Sequence, residues 1–141
     1  MVSEHPPRYD SEHYRFQLRQ DDFNTFARLS GDHNPIHVDV AFSADTAFGR
    51  PVSHGMLLFS VLRGYLARQY PGAQLQSQNL MFPSPAYAGE PLELAVERLD
   101  MAGKGTAFVH LATRIIRADG ETCLQGECRL ALEQAADGVL R

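Results

Sequence analysis

The chain has 141 residues with a formal net charge of −4, so it is one domain's worth of polypeptide with no basic excess for nucleic acid. Hydrophobic residues make up 44% and charged residues 21%, the balance of a globule that buries a core without disulfide staples. The longest apolar stretch, around Met56 to Leu62, is too short to cross a bilayer, and the N-terminus lacks the apolar run of a signal peptide, so a cytoplasmic protein with no membrane partner is expected.

Residues 1–10, with Pro6-Pro7 and no apolar period, read as a loose arm, 11–135 as the single domain and 136–141 as a tail. Tyr14, Phe16 and Leu18 alternate with polar residues, the period of a half-buried strand. Phe23, Phe26 and Ala27 then fall at helical spacing, which predicts a short helix over 20–29 stopped by Gly31. Residues 30–39 are rich in turn formers and read as a loop, followed by a short helix from Asp39 to Ala47 with Asp39 as its cap. The longest helix is expected from Ser53, as N-cap, to about Gln69, where Tyr70-Pro71-Gly72 stops it. It is apolar on nearly every side over three turns, so burial on most sides is expected.

Strands are predicted at 78–83, 91–99, 106–117 and 121–133, with a loop at 101–105 and a hairpin at Asp119-Gly120. Gly126 suggests a bulge in the last strand. Cys123 and Cys128, five apart, would lie on opposite faces of that strand as inert thiols. Short connections imply antiparallel neighbours, and one very apolar helix is available to cover one face of the sheet. The fold class is therefore α+β, an antiparallel sheet wrapped around one long central helix.

Three histidines and three aspartates crowd between residues 32 and 54: Asp32, His33, His37, Asp39, Asp45 and His54. Such density of titratable groups in a loop marks a candidate site. Asp32 and His37 stand at the two ends of a turn able to aim both side chains at one water, a carboxylate and an imidazole for proton transfer. The alternative is that Asp32 caps the turn and His37 is an ordinary surface histidine. Gly55, in the first turn of the long helix, either lets a ligand approach the free N–H groups there or makes a tight packing contact with a strand. His33 and His37 are four apart, which suits a metal on a helix face, but Pro35 lies between them and no cysteine is near. Arg63 is a charge in a largely apolar helix. It either extends to solvent along its stem or needs a carboxylate from the protein or a substrate. Nucleotide-phosphate loops and Ser-His-Asp elbows are not present in the sequence.

The run Ser30-Gly31-Asp32-His33-Asn34-Pro35-Ile36-His37, followed by Ala47-Phe48 and Val52-Ser53-His54-Gly55-Met56-Leu57, resembles the MaoC-like dehydratases, a group that includes the R-specific enoyl-CoA hydratases. Leu80, Phe82, Pro85, Gly89-Glu90 and Leu92 and the Gly126-Glu127 region extend the resemblance over roughly residues 12 to 132. It implies a hot-dog fold and reversible addition of water to a trans-2-enoyl thioester, giving an R-3-hydroxyacyl thioester. By the same resemblance Asp32 and His37 hold the reacting water and Gly55 donates its N–H to the thioester oxygen. Asn34 braces the turn, His54 belongs to the substrate-binding helix start, and the acyl tail lies beside Leu58, Phe59, Leu62 and Leu66. Arg63 departs from an ordinary fatty-acyl tunnel, and shortens the pocket or pairs with a polar acyl group. A homodimer with its site near the subunit interface is implied, with the thioester of CoA or an acyl carrier as substrate and no redox cofactor or metal. Arg50, Lys104 and Arg114 are the candidate cations for CoA's phosphates. A hot-dog thioesterase and a non-catalytic acyl-thioester binding module share the fold and stay open as alternatives.

Overall fold

The computed structural model describes residues 11–99 and 107–132. The 1–10 arm, the 101–105 loop with Lys104, and the 136–141 tail lie outside the described residues. The elements are β1 (Ser11–Gln17), α1 (Gln20–Ser30), α2 (Pro35–Val38), α3 (Val40–Ala44), α4 (Gly55–Gln69), β2 (Gln74–Gln78), β3 (Pro91–Arg98), β4 (Phe108–Arg117) and β5 (Thr122–Ala131). The strands form one antiparallel sheet in the order β1-β3-β4-β5-β2.

Alternation builds the inner face of the sheet. Leu92, Leu94 and Val96 of β3, Val109, Leu111 and Ile115 of β4, and Leu124, Cys128 and Leu130 of β5 are all buried. Leu58, Leu62, Tyr65 and Leu66 of α4 join them in one core. Apolar burial on this scale is the dominant favourable term in folding. The opposite side of α4 is uncovered. Met56 is 53% exposed, Ser60 is exposed, Phe59 and Arg63 are half-buried, and so the helix lacks the enclosure on most sides that its composition predicts.

Four local expectations change. The predicted loop at 30–39 contains α2, because Pro35 presets the first helical φ and the Asn34 side chain accepts from Ile36 N–H at 3.2 Å. Ser53 is not the cap of α4. His54 occupies that position, and the Ser53 hydroxyl donates to the His54 carbonyl at 3.0 Å. The strand expected at 78–83 is β2 at Gln74–Gln78, with only a single bridge from Met81 to Gln125 beyond it. The bulge in β5 lies at Cys123, where the register slips between Ile115↔Leu124 and Ile116↔Thr122, while Gly126 pairs with Thr113 in register. That slip turns Cys123 inward, so both thiols are buried rather than split between two faces. Gly126 has another task. A Cβ there would lie 1.9 Å from the Asn79 carbonyl oxygen, so its missing side chain lets the chain after β2 cross β5.

Candidate active site

α1 ends at Gly31, which adopts a left-handed φ of 82° and turns the chain into the loop that carries Asp32. The Asp32 carboxylate accepts from Asn34 N–H at 3.2 Å, and Asp32 N–H donates to the Ser30 hydroxyl at 3.1 Å. These bonds hold the loop tight and leave the carboxylate half exposed, with 53% side-chain accessibility against 11% for His37. α2 presents His37 from the other side, and the Gln20 amide anchors its carbonyl at 2.8 Å. Asp32 Oδ2 and His37 Nε2 stand 3.8 Å apart. This is too long for a direct hydrogen bond and short enough for one water to touch both atoms.

The far side of the His37 ring is fixed. Its Nδ1 lies 2.7 Å from the Val52 carbonyl oxygen. A carbonyl only accepts, so Nδ1 carries the proton and Nε2 presents a lone pair toward Asp32. His54 lies against it, with ring centroids 3.8 Å apart and planes at 26°. His54 Nε2–H donates to the Asp32 carbonyl at 3.0 Å, and Phe26 of α1 packs against the ring, tilted, at 4.9 Å. Burial lowers the His54 pKa below the ordinary histidine value. The His37 ring lowers it further, while the bond to the Asp32 carbonyl opposes both.

His54 caps α4, so Gly55 is its first residue. The first intrahelical bonds run from Leu57 and Leu58 N–H to the His54 carbonyl, so the Gly55 N–H precedes them and is available to an acceptor. A cavity of about 320 Å³ opens beside Gly55, with Val52, Leu58, Phe82, Pro85 and Cys123 in its wall. Phe82 presses on Gly55: a Cβ there would meet its ring at 2.9 Å. Close packing and open access are therefore both features of this glycine. Two other concavities, of about 350 and 480 Å³, lie along β3–β4 and β4–β5; the cavity beside Gly55 is the one that reaches Val52, Ser53 and Gly55, the chain neighbours of His54, although no histidine lines any of the three.

The remaining sequence candidates separate. Asn34 braces α2 through Ile36. Leu58 lines the cavity, Phe59 packs on the edge of the core, and Leu62 and Leu66 lie wholly inside the core rather than on the cavity wall. Arg63 is half-buried, and its Nη1 is shut from solvent without a partner among the described residues. Its charge acts on the Cys128 thiol, away from the cavity wall. Arg50 pairs with Glu90 and lies 4.0 Å over the Tyr87 ring, whereas Arg114 is exposed beside Glu127 on β5's side of the sheet. Asp39 caps α3 through Phe42 N–H at 2.9 Å. From sequence, Val52 and Phe82 stand out only through the family resemblance, with no role assigned, and Phe26 only as an apolar helical residue; the contribution of Val52 is a backbone carbonyl that no side-chain pattern reveals.

One ligand-capable atom from each of Asp32, His37 and His54 lies within 4.8 Å of the others, a spacing compatible with a metal ion. The metal pair considered from sequence, His33 and His37, is not the one brought together. Two nitrogens of the trio already donate to carbonyls, and the remaining ring lone pairs lie in nearly parallel planes, which converge poorly on one ion.

A MaoC-like domain model matches residues 4–118. The chain is 39% identical over 109 residues to an (R)-specific enoyl-CoA hydratase of Aeromonas caviae, covering 76% of this chain and 81% of the relative. It is 30% identical over 113 residues to a mitochondrial 3-hydroxyacyl-[acyl-carrier-protein] dehydratase of Solanum lycopersicum, covering 79% and 68%. The solved (R)-hydratase of A. caviae involved in PHA biosynthesis superposes with a TM-score of 0.82 and 32% identity, covering 93% of this chain and all of that one. An unliganded R-hydratase from Pseudomonas aeruginosa superposes at 0.80 with 30% identity, covering 89% and 81%. The chain belongs to the MaoC-like domain family and has its hot-dog fold.

Proposed function

We propose that this protein is an enoyl-CoA hydratase that reversibly adds water to trans-2-enoyl-CoA and forms R-3-hydroxyacyl-CoA. The kinship with the R-specific hydratases supports the reaction class. The site reading rests on one observation: the tautomer of His37 is locked with its lone pair facing Asp32, 3.8 Å away, beside an available N–H at the start of α4.

Both Asp32 Oδ2 and His37 Nε2 are acceptors. A water between them donates both protons and turns an oxygen lone pair outward, toward C3 of the enoyl group. As oxygen bonds to C3, one acceptor takes a proton and negative charge moves to the thioester oxygen. Gly55 N–H stabilises that charge from a fixed position, aided by the positive end of α4. The proton then adds to C2, so the elements of water end on C3 and C2 and the dyad is restored. No electron changes hands, and we propose that no redox cofactor or metal takes part. The acyl chain enters the cavity by Leu58 and Phe82.

We assign a homodimer. Met56 and Met81 are 53% and 61% exposed, and β2 has no partner on its outer edge among the described strands. Such exposed apolar residues beside an open strand edge suit a second copy of the chain. The free thiols suit a reducing compartment, and we place the enzyme in the cytosol. No helix among the described residues is long and apolar enough to cross a membrane. Incubation with crotonyl-CoA followed by chiral analysis tests the reading. The expected product is R-3-hydroxybutyryl-CoA, and the S product would overturn it.

A further inference from the structure

Of the two buried histidines in the cluster, His54 is the one for which the reaction above has no task. It caps α4 without making a side-chain cap bond, it is 2% exposed, and its Nδ1 is buried without a partner among the described residues. A buried acceptor left unmade is costly, so a capping role does not account for this ring. Its other features are directional. Nε2–H holds the Asp32 carbonyl at 3.0 Å, one face stacks on His37 at 3.8 Å, and the tilted Phe26 ring packs 4.9 Å away.

Resting on the hydratase reading, we infer that His54 is the positioning residue of the site: one neutral imidazole ties the Asp32 backbone with its Nε2–H and fixes the His37 plane with its face. Because His54 immediately precedes Gly55, the same ring links both water-holding groups to the N–H that receives the thioester oxygen. Their spacing then depends on a single rigid side chain. Neutrality is part of the device. A proton on Nδ1 would be buried without an acceptor and would face His37 whenever that ring carries the water's proton. The titratable groups acting on His54 are Asp32, His37 and His33, all from the loop and α2, while α1 presents the uncharged Phe26. Burial keeps the ring on the neutral side.

Two substitutions separate the two contacts. His54→Gln keeps an N–H donor for Asp32 and loses the aromatic face. His54→Phe keeps the face and loses the donor. With crotonyl-CoA, each variant is expected to lower kcat by about tenfold or more with KM little changed, since the water's geometry rather than thioester binding is disturbed. In imidazole ¹⁵N spectra, the His37 ring resonances should shift and broaden in His54→Gln, as a ring held at Nδ1 by Val52 loses the face that fixes its plane. Variants that fold like the wild type, retain kcat within about twofold and leave the His37 resonances unmoved would overturn the role. If the wild type fails to hydrate crotonyl-CoA, the functional reading falls, and the His37 spectra of the variants still decide whether His54 positions it. If both variants fail to fold, the wild-type titration decides. His54 remaining a neutral Nε2–H tautomer below the ordinary histidine range supports the role, and its protonation within that range overturns it.

Discussion

At the scale of single residues, His37 has one nitrogen committed to structure and one left for chemistry, and Val52 decides which. The motif from Ser30 to His37 made Asp32 and His37 legible as a pair, because turn formers set two titratable groups at the ends of one short loop. The tautomers of His37 and His54 were not legible, since they depend on contacts between residues 15 and 22 positions apart. Gly55→Ala separates stability from function. Alanine gains up to about 1 kcal/mol of helix propensity, yet its Cβ would drive Phe82 into the cavity. Calorimetry should show no large fall in Tm, while kcat/KM with crotonyl-CoA drops by about tenfold or more. The near-parallel rings of His37 and His54 give a further expectation: exhaustive treatment with EDTA leaves activity unchanged. Loss of activity on chelation, restored by one divalent ion, would assign the trio to a metal instead.

At the scale of elements, periodicity placed the inner strands and α4 well, because buried faces must alternate or recur at helical spacing. It misplaced β2, whose sequence Gln-Leu-Gln-Ser-Gln belongs to a polar edge strand with little to bury. The start of α4 moved by one residue because Ser53 is pulled backward: its N–H donates to the Ala86 carbonyl at 2.8 Å. Gly126 suggests a bulge from sequence, but the bulge lies at Cys123, and what Gly126 allows is the close approach of the Asn79 backbone. Gly126→Ala sets a methyl against the Asn79 carbonyl, which has no flexible side chain to yield. Chemical denaturation should show a loss of about 2 kcal/mol or more. A variant as stable as wild type would mean that the Asn79 segment does not cross β5 so closely.

At the scale of the whole molecule, the sequence identified the class of architecture but not which surface stays open, because one chain's composition does not say what its neighbour covers. The exposed side of α4 and the outer edge of β2 predict a dimer mass by light scattering at micromolar concentration, and a monomer would contradict the assignment. The core also sets an alkaline limit. Burial pushes the Cys123 and Cys128 thiols from 9.0 up to about 11. The unfolded chain therefore ionises first, and stability present below pH 9.0 is lost as pH rises toward about 11. Each thiol accounts for on the order of 3 kcal/mol over that window. Replacing both by alanine should lower stability at pH 7 yet flatten its decline above pH 9.0, as followed by denaturant midpoints. An unchanged slope would show that other groups govern the alkaline transition, Tyr65 among them, whose hydroxyl burial and Glu12 push upward.

In the proposed reaction, Asp32 and His37 direct one water onto an enoyl thioester without breaking the thioester. The most direct test follows loss of the conjugated enoyl absorbance of crotonyl-CoA with a thiol reagent in parallel, for the wild type, Asp32→Asn and His37→Ala. Loss of absorbance with no thiol release is expected in the wild type, with a rate lower by about 10²–10⁴-fold in each variant. Thiol release would make the protein a thioesterase, and a wild-type rate in either variant would remove the dyad from the chemistry.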